Sequence, residues 1–431
     1  MRLLSTEIRA AAENGTASVE AAGWVHRIRE LGAVNFIILR DRGGTVQLVL
    51  NEKHNLTLES VIKVEGEPAL NEKAPGGVEI RVKKFEILNM AQAELPYQVN
   101  GDASKIGLES ILDNRILSLR NPKIRAVFEL QSVIIEAFGG YLRSHGFTEI
   151  KTSKLVSGGT EGGTELFAVD YFDSKVYLAQ SPQFYKEVMV ASGLERVFEI
   201  APAYRAEKHD TPRHLNEYVS FDIEMGFIDS EIELINLEKE LLAHIFEETQ
   251  KKCQNAFSLW KSSAPLPETA AKSPVIGYEE ALKIVNDEAS KAGKARIFDI
   301  TPEAESLLCA WSERENGSAL VFVNEFPRRY RPFYTYPLDA SRTMSFDALF
   351  RGLEITTGGK RQHDYACFCE ALTKFGLKPE SFPGYATLLK FGCPPHGGFA
   401  VGCERLTARL LGIANVKEAS LFPRDRKRVL P

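Results

Sequence analysis

Residues Phe198–Phe227 read FEIAPAYRAEKHDTPRHLNEYVSFDIEMGF. Val197–Pro202 has the composition of a buried strand that ends near Tyr204 and Arg205. Tyr218–Met225 alternates again, with Asp222 and Glu224 set between Phe221, Ile223 and Met225, which places two carboxylates on one face of a core strand. Together the two arms predict a hairpin with a charged loop over 207–215. A second segment, Gly397–Leu406 (GGFAVGCERL), sets Arg405 in similar apolar, strand-like company. Arginine keeps its proton, so burying it calls for an anion. With Arg213, His214 and Glu217 between them, Arg205 and Arg405 suggest a pocket for a polyanion such as a nucleoside triphosphate. Taken alone, the loop reads equally as a solvated turn with surface ion pairs.

Composition bounds the rest. A chain of 431 residues, 44% hydrophobic and 26% charged, has room for two or three domains with ordinary globular cores. A net charge of −5 excludes whole-molecule attraction to nucleic acid but not a local patch. No apolar run reaches membrane length, and MRLLSTEIRAAAENG lacks a signal-peptide pattern. The six cysteines form no CxxC pair, which argues against a structural zinc site or a disulfide framework. A cytoplasmic protein is expected.

Residues 1–92 read as five short strands, Ser18–His26, Asn35–Arg40, Thr45–Leu50, Val61–Glu65 and Val78–Ile87, the pattern of a small OB-type barrel. Twelve basic and twelve acidic residues make this module neutral, so any nucleic acid it binds is read by stacking and base edges. Residues 93–125, with Pro96, Gly101, Gly107 and Pro122, read as a hinge or linker. Residues 126–431 read as an α+β domain without regular βαβ alternation. Glu231–Lys251 is a strong amphipathic helix, and Tyr278–Gly293 with Thr301–Asn316 predict a helical insertion around 278–316.

Other candidates have bland alternatives. The glycine-rich loop Ser157–Glu165 can close over a ligand, and Glu161 can reach an ammonium or simply be solvated. Gln180–Lys186 opens a helix with Ser181 as N-cap and Pro182 at its first position; Lys186 can be an ordinary helix lysine. Glu354 and Arg361, in a strand-like run, can be a buried ion pair. His363 reads as a supporting polar group, His396 as a turn residue, and Cys367 and Cys369 as core.

These segments resemble the three signature motifs of class II aminoacyl-tRNA synthetases, and specifically the archaeal-type (class IIb) aspartyl-tRNA synthetases. The resemblance rests on Thr160–Phe167, Gln180–Lys186, the arginine hairpin, Pro394–Gly398 and Leu421–Arg428, and spans nearly the whole chain. It implies an all-β OB-fold anticodon-binding barrel followed by an α+β catalytic domain, a six-stranded antiparallel sheet flanked by helices. It implies ATP-dependent attachment of L-aspartate to tRNA through an aspartyl-adenylate, with Mg²⁺ as cofactor. Arg205 would hold the α-phosphate and Arg405 the γ-phosphate, helped by Arg213 and His214. Glu217 would contact adenine, Tyr218 would stack on it, and Glu354 with Thr357 would bind Mg²⁺. In the aspartate site, Glu161 and Asp222 would take the ammonium, Lys186 and Arg361 the side-chain carboxylate, and Gln183 would join them. Two cations facing one side chain favour aspartate over asparagine, whose amide would turn donors toward donors.

The same resemblance implies that the barrel reads the anticodon through Phe36 and Gln47, which otherwise read as barrel core and a solvent-facing strand residue. Relaxed members of the family tend to carry His and Pro where strict ones carry Trp and Lys. His26 and Pro75 match the relaxed, non-discriminating pattern, which predicts charging of both tRNA(Asp) and tRNA(Asn) and a downstream amidotransferase. A homodimer is implied, although Thr152-Ser153 stands where the family's interface motif has Thr-Pro. A strict aspartate–tRNA(Asp) ligase, an asparaginyl enzyme and a catalytically silent RNA-binding paralogue remain as alternatives, opposed respectively by His26 with Pro75, by Lys186, and by the intact set of ATP-site charges.

Overall fold

The structure, a computed structural model, describes residues 2–31, 34–159 and 166–430. The chain divides into two compact units, Met1–Asn121 and Pro122–Pro431.

In the first unit a short helix, α1 (Ile8–Glu13), precedes five strands: β1 (Val19–Leu31), β2 (Val34–Arg40), β3 (Thr45–Leu50), β4 (Val61–Leu70) and β5 (Val78–Asn89). They close into a barrel in the order β1-β2-β3-β5-β4. Strict alternation drives closure: Val19, Ala21 and Val25 point inward with Ile37, Leu39, Val46, Leu48, Ile62 and Ile80. A bulge between Val25 and Arg27 puts His26 and Arg27 on the outer face together. Residues 93–121 are not bare chain: α2 (Leu108–Asp113) and α3 (Arg115–Ser118) bury Ile111, Leu112 and Arg115.

The second unit opens with α4 (Pro122–Ser144) and β6 (Thr148–Glu149). A small sheet of β7 (Leu155–Val156), β8 (Ala168–Tyr171) and β9 (Ser174–Leu178) follows, then α5 (Gln183–Met189). The arginine hairpin is β10 (Arg196–Tyr204) and β11 (Glu217–Gly226). After it come α6 (Glu231–Lys252), α7 (Gln254–Trp260), α8 (Pro267–Ala271), β12 (Val275–Gly277), α9 (Tyr278–Lys291), α10 (Pro302–Asn316) and β13 (Leu320–Asn324). The remainder is β14 (Ser345–Phe350), β15 (Leu353–Lys360), α11 (Tyr365–Lys374), α12 (Pro383–Lys390), β16 (His396–Gly402) and α13 (Cys403–Leu411). A capping box of Ser230 and Glu233 starts α6 at the residue the sequence predicts.

The main sheet has eight strands, in the order β12-β13-β14-β15-β16-β11-β10-β6. Its six central strands are antiparallel, as expected. A short parallel strand is added at each end, β12 beside β13 and β6 beside β10. The sequence reads a strand over Phe147–Leu155, of which Thr148–Glu149 forms β6; β12 is too short to show alternation. Phe221, Ile223 and Met225 of β11 pack into the core shared with α4, α6 and α13. Residues 278–316 form α9 and α10, which cross between β12 and β13 over a core of their own containing Ala281, Val285, Leu308 and Val321.

Several local expectations change. Arg405 lies on α13, not in a strand, because β16 stops at Gly402. Helix α5 begins at Gln183 with Pro182 as its N-cap, one residue later than expected; the Ser181 hydroxyl still accepts from the Gln183 N–H at 3.4 Å. His396 is no turn residue: it opens β16 and is fully buried. Cys367 is exposed on α11 and Cys369 half-buried, because the helix turns that face outward.

Candidate active site

The sheet face opposite α6 and α13 is shaped by register. Asp347, Thr357, Ala400, Asp222 and Glu199 align in one row across five strands; Glu224, Gly398 and Gly359 align in the next. Directly opposed residues share a face, so the two hairpin carboxylates Asp222 and Glu224 stand together, as their spacing predicts. The neighbouring positions of β16 are Gly398, Ala400 and Gly402. Any side chain at Gly398 would collide with the Ile223 carbonyl and the Glu224 carboxylate.

A cleft of about 690 Å³, open mouth included, is lined by Arg205, Arg213, His214, Tyr218, Glu354 and Arg405. Tyr218 lies under Arg205, whose guanidinium carbon is 6.0 Å from the ring centroid. Arg405 Nη1 donates to both the carbonyl and Oε1 of Glu354, each at 3.0 Å. The Thr357 hydroxyl reaches the same Glu354 Oε1 at 3.5 Å. His214 is bonded to Thr211 at 2.5 Å, and its Nε2 lies 3.8 Å from Glu207. Burial pulls the His214 pKa down; Glu207 opposes this, while Arg405 and Arg213 add to it. Neutral imidazole is therefore its resting form at neutral pH. Glu217 opens β11 next to Tyr218, paired with Tyr204. Three arginines, an aromatic face and an acid–hydroxyl pair of oxygen donors give the cleft groups that can hold a polyanion.

Beside it lies a buried charged cluster. Lys186 Nζ sits 3.0 Å from Asp222 Oδ1 and 3.3 Å from Glu224 Oε2. Arg361 Nε is 3.1 Å from Glu224 Oε1, and its Nη2 donates to the Gly398 carbonyl at 2.9 Å. Ser220 donates to Asp222 Oδ2 at 2.6 Å. Two cations thus face two carboxylates, all of them buried. Burial works against the Arg361 charge, but Glu224, Tyr334 and Glu187 overcome it and hold its pKa above the usual value. Gln183 donates to Glu187 Oε1 at 2.7 Å, which turns its carbonyl oxygen away from that carboxylate. Glu161, the remaining residue assigned to this site from sequence, lies outside the described residues.

Sequence reasoning missed three of the four carboxylates that follow. Glu187, next to Lys186, accepts from Tyr385 at 2.6 Å and bonds His396 Nε2 at 2.8 Å, while His396 Nδ1 faces the Pro394 carbonyl at 2.9 Å. With an acceptor at each nitrogen, the ring is an imidazolium. Burial lowers its pKa, but Cys393 and Glu187 raise it further, to about 10. Asp347, opposite Thr357, is pushed up to about 6 by burial against the pull of Arg331. Glu305 bonds Arg213, and Glu404 accepts from the Val219 N–H at 3.1 Å with both oxygens. Single carboxylates whose partners are far away in the chain leave no periodic signal; only the Glu that precedes Arg405 was visible, as part of GCER.

The anticodon candidates lie in the first unit, on the outer barrel face. Register places Phe36 beside Arg29 and Val49, and Gln47 between Ile38 and Glu79. Gln47 donates to Glu79 at 3.0 Å, as does Asn71 at 2.8 Å. Pro75 is exposed in the turn between β4 and β5. His26 Nδ1 contacts Arg40, which is clamped by Glu59; burial and then Arg40 lower the His26 pKa.

Residues 107–426 match the family described as tRNA synthetases class II (D, K and N), and residues 19–88 match the OB-fold nucleic acid binding domain. The chain belongs to the class II tRNA synthetases. Among similar proteins, the Aspartate--tRNA(Asp/Asn) ligase of Deinococcus radiodurans is 44% identical to this synthetase over 96% of both chains. That of Thermus thermophilus is 43% identical over the whole of both. The asparaginyl-tRNA synthetase of Pyrococcus horikoshii, solved with asparaginyl-adenylate, superimposes with a TM-score of 0.91 at 28% identity, covering 100% of each chain. As an aminoacyl-tRNA ligase, the synthetase uses ATP, an amino acid and tRNA. Among the described residues no helix is long and apolar enough to cross a membrane.

Proposed function

We propose that the chain joins L-aspartate to both tRNA(Asp) and tRNA(Asn) through an aspartyl-adenylate. The observation that carries the choice of amino acid is the pair of buried cations, Lys186 and Arg361, beside the arginine cleft. Asp222 and Gln183 face the substrate ammonium, and the two cations the side-chain carboxylate. Asparagine would leave a donor amide against donors, a mismatch on the scale of roughly 10⁴–10⁵-fold in comparable polar sites.

Arg205 holds the α-phosphate, Tyr218 and Glu217 the adenine, and Arg405 the terminal phosphate with Arg213 and His214. An α-carboxylate oxygen of aspartate attacks the α-phosphorus as the bond to pyrophosphate breaks. A hydroxyl of the terminal adenosine of tRNA then attacks the activated carbonyl, and AMP leaves. Neither step needs a protein nucleophile; alignment and charge stabilisation supply the rate. Glu354, Thr357 and Asp347 form an all-oxygen donor set that fits Mg²⁺, which binds through one or two carboxylates together with substrate phosphates. When bound, Mg²⁺ neutralises phosphate charge.

Support for the second tRNA comes from His26 and Pro75 and from the similarity to the Asp/Asn ligases of Deinococcus radiodurans and Thermus thermophilus. A cytoplasmic homodimer acting upstream of an amidotransferase completes the proposal. ATP–pyrophosphate exchange tests the first step: aspartate supports exchange and asparagine does not. Exchange with asparagine instead would refute the assignment, and none with either, tRNA included, would favour a silent paralogue.

A further inference from the structure

Glu305 belongs to α10, in the helical segment for which the proposed chemistry has no use. It is 4% exposed and lies behind the cleft, bonded to two of the residues that line it, Arg213 and Glu354. Its two oxygens lie 2.6 and 2.5 Å from a single nitrogen, Nη2 of Arg213. Oε2 also accepts the backbone N–H of Glu354 at 2.8 Å. One buried carboxylate therefore ties α10 to two residues of the cleft that come from different strands and loops. A buried carboxylate is costly to keep unless its position is used or fully compensated. Here both oxygens converge on one end of the guanidinium, which, among the described residues, leaves the Nε and Nη1 donors of Arg213 for an anion in the cleft. An arginine on a loop that follows a strand would otherwise sample many rotamers, and fixing it beforehand removes an entropic cost from binding.

We propose that Glu305 is a positioning residue for the nucleotide: it holds Arg213 and the backbone of Glu354 in place for the polyphosphate end of ATP, which makes the α9–α10 segment part of the ATP site. The inference rests on the reading of the cleft as an ATP site and adds a residue and an element to it.

The test uses the full-length chain and calorimetric binding of ATP and AMP without amino acid, with KM values for ATP and aspartate from pyrophosphate exchange. Glu305→Gln keeps an acceptor for the Glu354 N–H but loses the charge facing Arg213. It is expected to weaken ATP binding about tenfold, on the scale of lost supporting-shell partners, with AMP binding and the aspartate KM changed less than twofold. Arg213→Ala is expected to weaken ATP similarly, and the double variant no further, because the two act as one unit. Glu305→Asp, which keeps the charge but withdraws it, is the second variant should Glu305→Gln fold poorly, and is expected to show the same ATP-selective loss. Equal weakening of ATP and AMP, multiplying losses in the double variant, or unchanged ATP binding would each overturn the proposal. A wild-type chain that binds no ATP would overturn the functional reading and this inference with it.

Discussion

Replacing Lys186 by Met isolates the charge that is proposed to select the substrate. The side chain is of similar length and 2% exposed, so a cavity is avoided. In the wild type, Lys186 and Arg361 balance Asp222 and Glu224; the variant leaves a site with one net negative charge. One unit charge at about 4 Å with an effective dielectric constant of about 20 is worth about 4 kcal/mol. At about 1.4 kcal/mol per decade, activation of aspartate should lose roughly 10³ in kcat/KM. Asparagine carries no side-chain charge, so its residual activation should change by less than about tenfold. Pyrophosphate exchange with each amino acid, beside a circular-dichroism check of folding, measures the ratio. Parallel losses for the two amino acids would show that Lys186 only neutralises Asp222 and Glu224, and the charge argument for aspartate would fall.

Alkaline pH should destabilise the catalytic unit. His396, held at about 10 against a usual 6.5, contributes fully below pH 6.5 and loses its contribution as pH rises through about 10. Buried Glu238 and Glu404, both pushed from 4.5 to about 8 by burial, are protonated in the fold and ionise more readily when unfolded, so they add a loss between pH 4.5 and 8. Urea midpoints at pH 6 and pH 9.5 should differ, and Glu238→Gln should flatten the difference; a midpoint that rises with pH would contradict this. Gly398→Ala should cost about 1–3 kcal/mol or more through overpacking on Ile223 and Glu224, read as a lower urea midpoint. His26→Trp with Pro75→Lys should reduce charging of tRNA(Asn) while sparing tRNA(Asp); equal charging of both would remove those two residues from the account.

The strongest local patterns were the most legible. Alternation of polar and apolar side chains across Phe221–Met225 placed Asp222 and Glu224 together, because a strand sends alternate residues to opposite faces even where both faces are buried. The barrel strands were legible because one face is buried and the other is not, although β1, β4 and β5 run further than their apolar cores. What sequence did not show depends on distant partners. Glu305 and Arg213 are 92 positions apart, Glu187 and His396 209. Pro394-Pro395 signals a turn, and nothing local reveals that the next residue enters a strand against Glu187. The shift of Arg405 from strand to helix follows from Gly402, where an apolar run continues but the backbone changes period.

The most direct measurement is aspartylation of purified tRNA(Asp) and tRNA(Asn) transcripts side by side. The account predicts that the chain charges both with aspartate, at comparable rates. Charging of tRNA(Asp) alone would contradict the dual assignment and leave the aspartate site standing; charging of tRNA(Asn) with asparagine would contradict the account at its centre.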